Sequence, residues 1–342
     1  MAQSLVDATP DKLPAQKPSP IPNVVTIVAP ACVADGLYDA AERLLVGVRD
    51  RFGGPEGEKQ LSWQRCLMQL GDLRVSQKRY AEAEEIYDRV EQLRTKYFGP
   101  ADAETIGVEH QRALLQIEQG NVAEGERLAQ QALDRLRESG HADHQHAATC
   151  RNTLGWLALK DGDYDVAAEQ LLAALVTCDR AGVGRDVARV REPMENLEQV
   201  ADAYGEEGQP EKAERLLAEI IGRRLALEGP TSAATLGARL KLFEAVVAQG
   251  KLEQAVTLAR QLVGEGAELA TTVPVEMAAR VSLGLLTAYE GAGRLEEALG
   301  AAREALRLLP EGDGRRTRAE AAVEWLEKAA PKGEPEGGSR SP

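Results

Sequence analysis

Three of the four histidines in this 342-residue chain, His141, His144 and His146, fall within six positions, with Asp143 among them. Imidazole and carboxylate at that density are the donor types of a zinc or nickel site. No cysteine and no second acid–histidine group accompanies them, so the cluster reads as structural, with His144 in a linker, and no metal is expected. Cys32, Cys66, Cys150 and Cys178 stand far apart, without the close pairs of a zinc site or a disulfide framework, and fit small buried hydrophobes in a reducing compartment. The phosphate loop Gly-x-x-x-x-Gly-Lys-Ser/Thr and the nucleophile turn Gly-x-Ser-x-Gly are both missing, and Gly182-Val-Gly184 lacks the strand that a dinucleotide site needs. Carboxylates are plentiful but spread along helical stretches, as solvated faces are. No catalytic residue, no cofactor and no enzymatic activity are expected.

Acidic residues number 55 against 41 lysines and arginines, a formal charge of −14. Capture of a phosphate backbone would work against that charge, so nucleic acid is not an expected partner, while a basic polypeptide segment stays open. The apolar run Val24-Val25-Thr26-Ile27-Val28-Ala29 is too short to cross a bilayer, and Ala29-Pro30-Ala31-Cys32 is a poor lipoprotein cleavage site. The expectation is a cytoplasmic protein with no membrane association. Usage rich in Ala, Arg and Gly suggests a GC-rich bacterial source.

The elements that would position any site emerge from self-similarity, which is sought first because it decides the architecture. Aromatic residues make up only 4% of the chain, and strong helix formers dominate its middle, so the fold class is all-α. Seven phrases resemble one another, among them Lys78-Arg-Tyr-Ala-Glu-Ala83, Gly162-Asp-Tyr-Asp-Val-Ala167 and Gly250-Lys-Leu-Glu-Gln-Ala255, and their third residues are Tyr38, Tyr80, Val122, Tyr164, Pro210, Leu252 and Leu295. Those anchors are separated by 42, 42, 42, 46, 42 and 43 residues. Seven and ten positions after each anchor the residues are apolar, as in Tyr87 and Val90 or Leu171 and Ala174, and draw a stripe down one helix. Nine positions before the anchors stand Gly71, Ala113, Gly155, Ala201, Phe243 and Leu286, within a preceding helical stretch. Each unit is thus a helical hairpin whose mostly small residues let the two axes approach. The glycine two before most anchors permits the left-handed conformation that closes the first helix; Lys78 departs from this, and a slightly different turn is expected there.

Small residue, turn glycine, aromatic and then alanine is a pattern that resembles the tetratricopeptide repeat, from about residue 36 to residue 310. The 42-residue spacing is similar to the kinesin-light-chain subtype, whose Leu-Gly-Pro-Asp-His-Pro-like link precedes a threonine-bearing helix start. Phe98-Gly99-Pro100 before Thr105 and Glu228-Gly229-Pro230 before Thr235 echo it, Gly54-Pro55 repeats the punctuation, and Asp143-His144 stands where the Asp-His pair falls. The resemblance implies a right-handed α-α superhelix of about seven hairpins. Residues 1–22 are expected as a disordered tail, 23–310 as the superhelix, 311–329 as a capping helix bearing Ala319, Ala322, Val323 and Leu326 on one face, and 330–342 as a second disordered tail. Pro30 is expected to spoil the first leading helix, and the four extra residues before the fifth unit, with Pro193, predict a longer link or an extended, kinked helix.

The resemblance also places the leading helices on a concave face that meets ligand. By register that groove should receive Arg65, Gln69 and Asp72, then His110, Gln111 and Leu114, then Asn152, Thr153 and Trp156, then Glu198, Gln199 and Asp202, and finally Lys241 and Glu244. Asn152 and Gln111 suit the backbone of an extended peptide, and Trp156 suits either an anchor or the seam between units. The Lys/Asn arrangement with which some relatives clamp a terminal carboxylate is not recognisable. The expected function is a scaffold or adaptor that binds a protein or peptide partner; the alternative is a receptor whose peptide or effector controls a partner. A heptad-bearing coiled coil like that of full kinesin light chains is not found in residues 1–35, so a motor complex is not supported.

Overall fold

The computed structural model describes residues 29–263 and 275–329, so both expected tails lie outside the described residues. The described residues form fifteen helices and no strand. These are α1 (Ala29–Ala34), α2 (Tyr38–Phe52), α3 (Leu61–Ser76), α4 (Tyr80–Phe98), α5 (Ala103–Glu118), α6 (Val122–Glu138), α7 (Gln145–Asp161), α8 (Tyr164–Arg180), α9 (Val187–Glu206), α10 (Pro210–Glu228), α11 (Ala233–Ala248), α12 (Leu252–Val263), α13 (Val275–Gly291), α14 (Leu295–Leu308) and α15 (Gly314–Ala329).

All seven anchors of the sequence repeat are the first residues of second helices. The preceding turn explains the coincidence. In the third hairpin Gly120 adopts φ 87°, its N–H donates to the Ile117 carbonyl at 2.9 Å, and the Asn121 N–H reaches back to Gln116 at 2.9 Å. A glycine in the left-handed region followed by that long backbone bond ends a helix and points the chain into the next. Lys78 corrects the expectation of a different turn. It takes φ 59°, and the bonds Lys78 to Val75 and Arg79 to Arg74, both 2.8 Å, reproduce the glycine version with a side chain attached.

The Gly-Pro links start the leading helices. Thr105 Oγ1 donates to the Gly99 carbonyl at 2.8 Å and Thr235 Oγ1 to Gly229 at 2.9 Å, which locks each link against the first turn of its helix. Asp102 and Ser232 cap α5 and α11, and His144 caps α7, its Nδ1 accepting from the His146 N–H at 3.3 Å.

The small residues do what close approach demands. A Cβ on Gly71 would lie 2.5 Å from the Tyr87 ring, and one on Gly155 would lie 2.7 Å from Leu171 Cγ. Phe243 reverses the arrangement: it is the large residue, buried, and its ring lies over Gly284 of the following leading helix.

The chain divides into two compact units, Met1–Pro193 and Met194–Pro342. Among the described residues, substantial helix contacts run to the next helix or the next but one, as in a repeat array. In the first unit α1 is a six-residue helix with Pro30 in its first turn, where the missing N–H costs nothing, and Ala29 and Cys32 join the core of α2 and α3. In the second unit Leu286, Ala298, Ala302, Ala322 and Leu326 form one cluster, so α15 covers the last hairpin. The extra residues of this unit go mainly into α9, which has 20 residues where α7 has 17, while the link before it, 181–186, is no longer than 139–144. The helix runs on through Pro193; there the ring removes the bond that the Arg189 carbonyl would receive, and the two units part at that residue.

Candidate functional site

Leading helices recur with the repeat, so the same register positions line up from hairpin to hairpin. In the first unit Met68, His110 and Asn152 form one row and Gln69, Gln111 and Thr153 another, on α3, α5 and α7, and both rows line a single cavity of about 540 Å³. Arg65, Asp72 and Leu114 also line it, and Ala188, Arg189 and Glu192 in the first two turns of α9 close its end. Trp156 is not among the lining residues; on α7 the wall passes through Thr149, Asn152 and Thr153, where α9 begins to cover it. The other groove candidates belong to the second unit, where most are engaged in ion pairs: Lys241 with Asp202 at 2.7 Å and with Glu198 at 3.7 Å, Arg224 with Glu198 at 2.7 Å, and Arg280 with Glu244 at 2.7 Å. Gln199 is exposed.

The floor of the cavity is built on Glu104, which the sequence reading did not single out. Its carboxylate accepts from Arg65 Nη2 at 2.6 Å and lies 3.4 Å from both Arg94 Nη2 and His146 Nε2. Arg94 is 2% exposed and also donates to the Glu104 backbone carbonyl. Burial alone would raise the Glu104 carboxyl, but the His146 imidazole 3.4 Å away and the neighbouring guanidinium groups outweigh it and hold the group well below the usual carboxylate range. Gly107 makes room for the ring, since a Cβ there would stand 2.7 Å from His146 Nε2.

The repeat did carry a signal for two of these residues. Glu104 and His146 occupy the same register position in successive hairpins, 42 residues apart. Arg94 and Arg224 each stand five residues before the glycine of a Gly-Pro link, and both are buried beside carboxylates.

His110 Nε2 meets Thr153 Oγ1 at 2.9 Å, tying α5 to α7, and burial, with the nearby His146, pushes its imidazole down to about 4. It is a neutral tie at physiological pH. Burial pushes the Asp72 carboxyl up to about 6 even though the Tyr87 hydroxyl donates to it and Arg94 acts from farther off. Gln69 and Gln111 make no hydrogen bond to another described residue, so their amides face the cavity with donors and acceptors to spare.

The three histidine rings stay near one another but serve different ends. His144 serves as a helix cap and His146 lines the cavity, with ring centroids 6.3 Å apart for His141 and His144 and 5.0 Å apart for His144 and His146. Among the described residues no group of three or more His, Cys, Asp or Glu is placed to hold a metal ion. All four cysteines are buried and none is in a disulfide, and burial pushes the Cys66 and Cys150 thiols up to about 12, which leaves them protonated and unreactive. Among the described residues no helix is long and apolar enough to cross a membrane.

Antiparallel helix pairs stacked on their neighbours, with leading helices lining a groove, define a helical-repeat protein of the kind that mediates protein–protein contacts. Residues 104–175 and 240–313 match tetratricopeptide-repeat family models, and the chain is a tetratricopeptide-repeat protein. Among solved structures, the signal-transduction ATPase with a tetratricopeptide repeat sensor from Pyrococcus horikoshii aligns at 16% identity and a TM-score of 0.55, over 96% of this chain and 46% of that one. BtubC (BKLC) from P. vanneervenii aligns at 18% identity and 0.44, over 78% and 96%. The nearly identical repeats of a putative kinesin light chain from Podosopora anserina align at 20% identity and 0.42, over 60% and 96%. No curated protein matches the chain significantly.

Proposed function

We propose that the protein is a scaffold or adaptor that receives an extended segment of a protein partner in the groove of its first unit. The observation that carries this reading is the double row Met68/His110/Asn152 and Gln69/Gln111/Thr153, three successive hairpins presenting the same two positions to one cavity. An extended peptide exposes a backbone donor and acceptor at each residue, and side-chain amides such as those of Gln69 and Gln111 satisfy both. The Glu104 network supports the same reading from below, because it ties α3 and α4 to α5 by ion pairs and packs the His146 ring of α7 beside them, and so preorganises the groove before a ligand arrives.

Panning a random peptide library against the whole chain tests it. Groove-directed binders should lose affinity at least tenfold with Gln111→Trp, which fills the cavity, and should be indifferent to Val166→Ala on the exposed side of α8. Equal binding to the filled variant would place the partner elsewhere. Solution scattering of the complex addresses the receptor alternative, since a ligand that acts as an effector must change the dimensions of the array.

A further inference from the structure

At its α3 end the groove adjoins a second, mainly apolar cavity of about 290 Å³ whose walls include Ala29 and Val33 of α1, Leu45 of α2 and Leu73 of α3. Gln69 and Asp72 line both cavities, so the two meet at these side chains. Asp72 forms no ion pair with any described residue; its Oδ1 accepts the Tyr87 hydroxyl at 2.8 Å, and its side chain has a second oxygen with no hydrogen bond to a described residue. In this protein, where arginines are paired with carboxylates across many helices, an unpaired carboxylate at the mouth of an apolar cavity is unusual chemistry.

We propose that this cavity is a subsite for a lysine side chain of the bound segment, its methylene stem lying along Leu45 and Leu73 and its ammonium group pairing with Asp72. A lysine has an apolar stem and a compact charged head, which matches an apolar wall ending in one carboxylate. Arginine fits less well, because its planar fork favours two carboxylate oxygens and Tyr87 already occupies one. The formal charge of −14 draws a basic segment toward the chain at long range. The inference rests on the groove reading given above.

The test uses the full chain and a groove-binding peptide recovered from the library, with lysine, arginine, norleucine or glutamate placed in turn at each position, and affinities read by fluorescence polarisation. At one position lysine should bind roughly tenfold or more tighter than norleucine, as a charge-assisted contact implies. Asp72→Asn, which keeps an acceptor for Tyr87, should reduce that preference to less than about twofold, and Val33→Trp, which fills the cavity, should do the same. The preference should also fade as pH falls through the titration of Asp72. Norleucine equal to lysine on the unaltered chain would assign the cavity to an aliphatic side chain, and a lysine preference that survives Asp72→Asn would place the ammonium elsewhere; either overturns the subsite and leaves the groove standing. A library that yields no binder sensitive to Gln111→Trp overturns the groove and the subsite together.

Discussion

The Tyr87 hydroxyl donates a 2.8 Å hydrogen bond to Asp72 Oδ1, joining the core of the second hairpin to the wall of the groove. Tyr87 is 1% exposed and its ring lies on Gly71, so a single residue fills the seam between α3 and α4 and also orients a groove carboxylate. Removing the hydroxyl as Tyr87→Phe should cost about 1 kcal/mol, the usual worth of such a bond, and should move the Asp72 titration still higher, because the bond favours the ionised form. Carboxyl-carbon NMR against pH reads the second effect; an unmoved midpoint would show that the hydroxyl does not tune Asp72.

Asp72 and Glu104 should influence stability in opposite directions as pH changes. The Asp72 carboxyl is raised to about 6, so the folded chain holds that proton more tightly than the unfolded one; its contribution is fully present below about pH 4 and is lost as pH rises through 6. Asp72→Asn should therefore gain on the unaltered chain between pH 4 and pH 6, as urea midpoints would record.

Glu104 is depressed, so its contribution is present above the ordinary carboxylate range and is lost on acidification. Glu104→Gln leaves Arg94, 2% exposed, without its carboxylate and should cost about 3 kcal/mol at neutral pH. The gap from the unaltered chain should narrow as the pH is lowered below 4. A neutral-pH cost under about 1 kcal/mol would mean that the network contributes little to holding the hairpins.

Two glycines should respond in opposite ways. Gly155→Leu drives a side chain into Leu171 and should destabilise by about 1 to 3 kcal/mol or more. Gly222, inside α10, faces open space, so Gly222→Ala should stabilise by about 0.5 to 1 kcal/mol. Chemical denaturation of both variants checks the assigned packing register.

Lys78→Gly relieves the left-handed strain at φ 59° while adding freedom to the unfolded chain. The first effect is the larger, and a net gain of about 0.5 kcal/mol is expected in thermal unfolding.

The sequence by itself determined the hairpin array. Its 42-residue beat placed Tyr38, Tyr80, Val122, Tyr164, Pro210, Leu252 and Leu295 at seven helix starts, and its small residues identified the seam that Tyr87 and Leu171 fill, because backbone turns and close helix contacts impose local rules that recur in every unit. The same register named eight residues that share a cavity in the first unit. Only the tertiary structure decided which polar groups stay open. It spent Glu198, Asp202, Lys241 and Glu244 in ion pairs, left Trp156 outside the cavity wall, and brought Arg94, Glu104 and His146 together beneath the groove. Pairing of long charged side chains depends on the separation and facing of helices from different hairpins, which no single repeat encodes. For the same reason Lys78 could take a glycine's place: the bonds on either side of it, Val75 to Lys78 and Arg74 to Arg79, over-determine the turn whatever side chain it carries.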